Sequence, residues 1–156
     1  MTQKILIPID DSENALRAVE FVAKSFSNDN QITLFNVMID TAALCNMNSP
    51  ELTPLFKSQQ SSFCLLEDKK RELVDAALTK AKDMLSEAGF PSEQITIKIE
   101  EKKEGVARDI LQEAKQGYDL IALGRRGISG IQEFFLGSVS QKVFHEAKDI
   151  SVLIVN

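Results

Sequence analysis

Tryptophan is absent from this chain, histidine and tyrosine occur once each, and cysteine occurs twice. The single histidine, His145, has no serine or cysteine partner identifiable from spacing, so a Ser-His or Cys-His nucleophile is not indicated and a structural role is expected. Cys45 and Cys64 form no C-x-x-C pattern and have no companion histidine, which argues against zinc or dithiol chemistry. Free, reduced thiols are the expectation. A basic excess is missing as well, since the net charge is -5 and the pI is near 5.0. General affinity for nucleic acid or for an anionic membrane is thereby excluded, and any phosphate binding must be local. No apolar run approaches the roughly eighteen residues of a membrane span, and Lys4 follows Met1 without a signal-type apolar region. No membrane partner and a cytoplasmic location are expected. Also lacking is G-x4-G-K-[S/T], with its phosphate-binding lysine and metal-binding hydroxyl. Efficient nucleotide hydrolysis is not indicated, and a dedicated enzyme is not expected.

What is present is alternation. At 156 residues and 44% hydrophobic, the chain suits one compact domain, residues 1–156, with enough apolar material for a real core. Ile5-Leu6-Ile7-Pro8-Ile9 is apolar on both faces, as a buried central strand requires, although Pro8 donates no ladder hydrogen bond. That conflict eases if the strand leaves the sheet at Pro8, close to where a ligand would sit. Ala15, Leu16, Val19, Val22, Ala23 and Phe26 recur at helical spacing behind an N-cap at Asp11 or Ser12. A second strand spans 31–38, and Leu73, Ala77, Ala81, Met84, Leu85 and Ala88 stripe a helix ended by Gly89 and Pro91. Ile95, Ile97 and Ile99 alternate with Thr96, Lys98 and Glu100, the pattern of a half-exposed edge strand. Val106, Ile110, Leu111 and Ala114 form a further helix, stopped at Gly117. Leu120 to Leu123 and Val152 to Val155 complete five strands, with a helix-like stretch from Ser138 to His145 between them. Strands joined by helices imply a parallel α/β sheet covered on both faces, with ligands bound beyond the carboxyl ends of the strands. The Ser-, Gln- and Pro-containing segment at about 40–66 is too long for an ordinary connection and is expected to be a variable loop.

The densest signal lies late in the chain. Gly124, Gly127, Gly137 and Ser138 are spaced G-x2-G-x9-G-S, after the apolar run Leu120-Ile121-Ala122-Leu123 and before the last helix. A glycine-rich turn that leaves a strand and feeds a helix lets backbone N–H groups approach phosphate oxygens, and the helix's positive end favours that charge. The structural alternative is that Gly124 and Gly127 serve the turn while Gly137 precedes an N-capping Ser138.

The sequence resembles the universal stress protein family, one branch of which binds ATP through G-x2-G-x9-G-[S/T]. The resemblance rests on KILIPIDDSENA at the start, YDLIALGRRG around the fourth strand, and LGSVSQKVFHEAKDISVLIV at the end. It is weakest between Thr41 and Glu67, and Asp149-Ile150-Ser151 stands where the family commonly has a proline before the last strand. The resemblance implies a Rossmann-like, adenine nucleotide alpha hydrolase-like fold with strand order 3-2-1-4-5. It further implies an adenine framed by Pro8, Ile9 and Val37, and a ribose bonded to Asp10, whose ionised carboxylate only accepts. Leu123 and Gly124 would lie beside the nucleoside. Gly127, Gly137, Ser138, Val139 and Ser140 would address the phosphates. Arg125 and Arg126 fall in the same turn as charge partners for phosphate or as solvated surface, whereas Phe134, Phe135 and Leu136 suit core packing better than base stacking. The implied ligand is ATP, ADP or AMP, with Asp10 and Asp11 available to Mg2+ beside the phosphates. A homodimer through Val152, Leu153, Ile154 and Val155 is expected, because that edge strand is apolar on both faces.

Three functions follow from these residues. The first is a nucleotide-dependent switch or sensor in stress response. The second is an interaction module of the same family that binds no nucleotide. The third, a response-regulator-like domain, is prompted by Asp10-Asp11 but meets Gly124 at the end of the fourth strand, a position without a carboxylate to phosphorylate.

Overall fold

The computed structural model describes residues 1–47, 53–125 and 136–156. Five parallel strands, β1 (Lys4–Pro8), β2 (Gln31–Met38), β3 (Ile95–Glu101), β4 (Leu120–Gly124) and β5 (Ser151–Val155), form one sheet in the order β3-β2-β1-β4-β5. Helices α1 (Glu13–Ser25), α2 (Ala42–Cys45), α3 (Pro54–Glu87), α4 (Val106–Ala114) and α5 (Ser138–Glu146) connect them. The expected Rossmann-like α/β architecture and its strand order are therefore what the chain adopts.

The two-sided apolar strands explain the layering. Ile5, Ile7, Ile32 and Leu34 point into a core shared with Val19 and Val22 of α1 and with Ala77, Leu78, Ala81 and Leu85 of α3. Leu6, Phe35, Ile121 and Leu123 point the other way, against Ile110 of α4 and Val143 of α5. Full burial of each Leu, Ile or Phe contributes about 1.5–3 kcal/mol, so the two layers together outweigh any single polar contact described below.

Pro8 fits for a local reason. Ile9 N–H donates to the Phe35 carbonyl of β2 at 2.8 Å, and successive residues of a strand address opposite neighbours. The N–H that Pro8 lacks would thus have faced β4. Pairing of β1 with β4 is confined to Ile5 with Leu120 and Leu6 with Ile121, so the strands have parted before Pro8 is reached. The crevice between them lies where the winding direction switches.

Two expectations need correction. Residues 54–66 are not loop: they form the first part of the single helix α3, which begins with Thr53 accepting from Phe56 N–H at 3.2 Å and with Pro54 in the first turn. Pro is tolerated there because that N–H has no intrahelical acceptor. Leu55, Phe56, Phe63, Leu65 and Leu66 remain exposed on this part of α3. The cysteines are not free either, since Cys45 is bonded to Cys64 and joins α2 to α3. A disulfide needs only compatible backbone positions, here Cα atoms 5.9 Å apart, and carries no C-x-x-C signature.

β3 is an edge strand as expected, but its apolar face is covered only at Ile95, with Ile97 and Ile99 41% and 44% exposed. Its polar face is engaged instead: Lys98 donates to the buried Glu113 of α4 at 2.7 Å, and Tyr118 O–H donates to the same carboxylate at 2.8 Å. The hydrogen bond to Glu113 raises the Lys98 ammonium above its ordinary value, against partial desolvation.

Two contacts set the geometry of the crevice. Gly124, the last residue of β4, lies under the first turn of α1. A side chain there would overlap the Asn14 carbonyl and bring its Cβ to 2.9 Å from the Asn14 Cβ. On the other side, buried Asp109 accepts from Lys103 N–H at 2.8 Å and Glu104 N–H at 3.1 Å, fixing the turn that starts α4. Burial alone would raise this carboxyl, but the N–H groups of Lys103, Glu104 and Gly105 more than offset it and hold it below the usual carboxylate range.

Gly124→Ala is expected to cost about 1–3 kcal/mol, the range for overpacking, with the loss read as a lower urea midpoint at unchanged slope. An unchanged midpoint would show that α1 can shift freely. Asp109 has a lowered folded pKa, so its contribution is present above the ordinary value near about 3.9 and is lost as pH falls through the lower folded value. Asp109→Asn should therefore lower stability by about 1–2 kcal/mol at neutral pH, with the gap to wild type closing below about pH 4. A gap independent of pH would contradict this.

Candidate nucleotide site

One cavity of about 320 Å³ opens at the crevice, within the usual range for small-molecule sites. It gathers Pro8, Ile9, Asp10, Val37, Leu123, Gly124, Gly137, Ser138, Val139 and Ser140, residues from opposite ends of the chain. Arg126 and Gly127, also expected at this site, lie outside the described residues, as do Phe134 and Phe135. Arg125 does not line the cavity. Its guanidinium donates to the Asn156 side chain at 3.3 Å.

The N-terminus of α5 contributes to the lining. Gly137 is the N-cap and supplies no side-chain acceptor. Its carbonyl accepts the first intrahelical bond, from Gln141 N–H at 2.8 Å. Ser138, Val139 and Ser140 occupy the first three helical positions, so helix geometry gives their N–H groups no acceptor within α5. With the helix dipole, these amides present partial positive charge to the cavity.

The remaining glycine-motif groups are committed to holding that end in place. Gly137 N–H donates to the Arg125 carbonyl at 2.8 Å, and Arg125 N–H donates to the Val155 carbonyl at 2.8 Å. Ser140, buried, donates its hydroxyl to the Gly124 carbonyl at 2.7 Å. Gly137 N–H and the Ser140 hydroxyl proton are thus occupied in joining β4, β5 and α5, a structural role that the expected direct phosphate contact did not include.

Asp10, just past the end of β1, also lines the cavity. Its Oδ1 accepts from Ser12 N–H at 2.8 Å and also from the Ser12 hydroxyl. That hydroxyl in turn accepts from Ala15 N–H at 3.4 Å and caps α1. Among the described residues no bond is made to Oδ2, which leaves an acceptor beside the cavity. Asp10 is also the only charged side chain among the described residues lining it.

Phe35, Val37, Val106, Ile110 and Leu123 supply apolar lining. Buried Asn36 donates its side-chain amide to the Ile9 carbonyl at 2.7 Å, tying the ends of β1 and β2. Sequence reasoning missed Ser12, Phe35, Asn36, Val106 and Ile110. Ser12 was legible as a cap, and the helical stripe of Val106 and Ile110 was legible as core. Their convergence on this cavity depends on α4 packing over β2. His145 is absent from the lining and stands exposed on α5, against the Phe144 ring at 5.7 Å.

Among the described residues no group of three or more His, Cys, Asp or Glu side chains is placed to hold a metal, and no helix is long and apolar enough to cross a membrane. The lining combines helix amides without an acceptor in α5, one carboxylate acceptor and apolar side chains.

Comparison with known proteins gives this geometry a family. The model of the universal stress protein family matches residues 1–156. Universal stress protein YxiE of Bacillus subtilis is 31% identical over 156 residues, covering 99% of both chains. Universal stress protein MJ0577 of Methanocaldococcus jannaschii is 28% identical, covering 99% of this chain and 95% of its own. The solved structure of MJ0577 superposes with a TM-score of 0.67 at 27% identity, covering 99% of this chain and 96% of that one. A universal stress protein solved in complex with cAMP shares the fold, with a TM-score of 0.61 at 19% identity over 99% of this chain and 97% of its own. With the family model spanning every residue and a full-length relative at this identity, the chain belongs to the universal stress protein family.

Proposed function

We propose that this universal stress protein binds an adenine nucleotide, ATP in the first instance, and acts as a nucleotide-dependent switch or sensor. The observation that carries the reading is the chemistry gathered on one cavity: helix amides without an acceptor in α5, the Asp10 carboxylate and apolar side chains. A nucleotide carries a counterpart to each, in its phosphates, its ribose hydroxyls and its base. The G-x2-G-x9-G-S motif and the nucleotide carried by the cAMP-bound family member support the same assignment.

In this reading the base lies between Val37 and the walls contributed by Val106 and Ile110, where its flat apolar faces leave water. Asp10 Oδ2 accepts from a ribose hydroxyl. The phosphates meet Ser138, Val139 and Ser140 N–H groups and the exposed Ser138 hydroxyl, whose neutral dipoles stabilise negative charge in a chain that is itself acidic. Mg2+ travels with the phosphates and adds cationic charge there. The assigned role is binding, without a dedicated catalytic step. The protein works in the cytoplasm and pairs through β5, an edge strand whose Val152, Leu153 and Ile154 are only half-buried.

The second reading, an interaction module without nucleotide, is favoured by one observation: Gly124, Gly137 and Ser140 already have structural reasons to be present. One substitution separates the readings. Proline at the first helical position keeps α5, and Gly137 with φ -61° and ψ 157° has the conformation that a following proline requires. Ser138→Pro therefore removes one cavity-facing N–H and one hydroxyl with little cost to the fold.

If ATP binds with a Kd of about 10 μM, about 1 mM ligand adds roughly 2.7 kcal/mol and raises the melting temperature by roughly 5–10 °C. Ser138→Pro should weaken ATP about tenfold or more, the range for a charge-assisted hydrogen bond, while leaving adenosine nearly unaffected. No melting shift with ATP, ADP or AMP would retire the nucleotide reading in favour of the interaction module. Sedimentation at tens of micromolar should show a dimer that Val152→Asp dissociates. A monomer at that concentration would remove the β5 pairing.

A further inference from the structure

A second cavity, also of about 320 Å³, adjoins the first and shares Asp10, Asn36 and Val37 with it. Thr41, on the segment leaving β2, forms one of its walls, and Glu67 and Arg71 of α3 form the opposite one. The two walls are bolted together just outside the cavity. Cys45 ends the short helix that follows Thr41, Cys64 lies one turn before Glu67 on α3, and a disulfide joins them.

That short helix α2 has four residues, none of them buried. Among the described residues, its side-chain hydrogen bonds to α3 come from Gln60, whose amide donates to the Leu44 carbonyl and, just beyond α2, to the Met47 carbonyl at 3.0 Å. Gln60 and Cys64 stand four residues apart and so share one face of α3. Two hydrogen bonds from a solvent-reachable glutamine exchange readily with water, whereas the covalent bond does not. β2 itself is held to β3 as far as Met38, so it is the following segment, Thr41 to Met47, whose position depends on the disulfide.

We propose that Cys45–Cys64 is a reversible thiol–disulfide site whose state sets how tightly the neighbouring nucleotide cavity closes. The co-reactant is a low-molecular-weight thiol or dithiol. Its thiolate attacks one sulfur, forming a mixed disulfide and releasing the other cysteine as a thiolate that takes a proton. A second thiol then attacks the mixed disulfide and frees the first cysteine. The net change is one protein disulfide and two thiols converted to two cysteine thiols and one external disulfide. Both cysteines are half-buried, which leaves room for a small attacking thiol. Oxidised, the bond holds α2 on α3 and keeps Thr41 in the wall of the second cavity. Reduced, that wall is retained, among the described residues, by the Gln60 hydrogen bonds. The effect on the cavity rests on the nucleotide reading, while the thiol–disulfide site itself does not.

The test uses the full chain in three forms: oxidised with glutathione disulfide, reduced with dithiothreitol, and as Cys45→Ser or Cys64→Ser. Intact mass should fall by two hydrogens on oxidation in the wild type alone. Amide exchange across Ala42 to Met47 should be at least about tenfold faster in the reduced and serine forms, while the buried β1 stays unchanged. The Kd for ATP should rise at least about threefold on reduction, and the serine variants should match the reduced protein in either buffer. Thiols that remain free in glutathione disulfide, or exchange that is equal in both forms, would overturn the proposal. Altered exchange with an unaltered Kd would overturn its coupling to the cavity. Absence of ATP binding in every form would instead overturn the nucleotide reading, and redox-dependent exchange would then still support the thiol–disulfide site.

Discussion

The closeness of α1 to the end of β4 is the constraint on which the site depends. Because no side chain stands at Gly124, the first turn of α1 rests on strand backbone, and the Asn14 carbonyl occupies the place of a Cβ. That seating brings Asp10 and Ser12, which lead into α1, up to the crevice between β1 and β4. The Gly124 carbonyl is then free to receive the Ser140 hydroxyl, which anchors the start of α5 on the same residue. A single missing side chain thus registers the carboxylate and the amide-bearing helix end against each other.

The electrostatics follow from that arrangement. An acidic chain can accommodate a polyanion where fixed dipoles are concentrated, and the start of α5 concentrates three backbone N–H groups without side-chain capping. Gly137 suits the N-cap because its backbone reaches both Arg125 and Gln141 while offering no hydroxyl or carboxylate to occupy those donors. A serine or aspartate at that position would stabilise α5 by capping it and would compete with any bound anion. The glycine motif is thereby partly scaffold and partly site. Gly124 and the Ser140 hydroxyl fix positions, and Ser138, Val139 and Ser140 carry the amides without an acceptor in α5.

Much of this was legible because local patterns and tertiary structure agree. The apolar runs of β1 and β2 predict strands covered on both sides, and Pro8 marks the place where β1 loses its β4 partner. The glycine spacing pointed to residues that do gather on one cavity, and the family resemblance supplied the strand order. The cavity's apolar wall was less accessible. Val106 and Ile110 have the same helical spacing whether they pack into a core or line a crevice, and only the placement of α4 decides. The first half of α3 was hidden by its serines, glutamines and proline, although Thr53-Pro54 is itself a helix-start signal. The Cys45–Cys64 bond was hidden more deeply, since its geometry arises from α2 folding back on α3 and leaves no spacing rule to read.

The central claim is that the amides opening α5 receive the phosphates of an adenine nucleotide. The most direct measurement is a titration of 15N-labelled protein with ATP and, separately, with adenosine, followed at the individual amides. ATP should shift Ser138, Val139 and Ser140 together and saturably, along with Val37 and Val106, while adenosine shifts Val37 and Val106 but leaves the α5 amides nearly still. Saturable ATP shifts that bypass those three amides, or no saturable shift at all, would contradict the account.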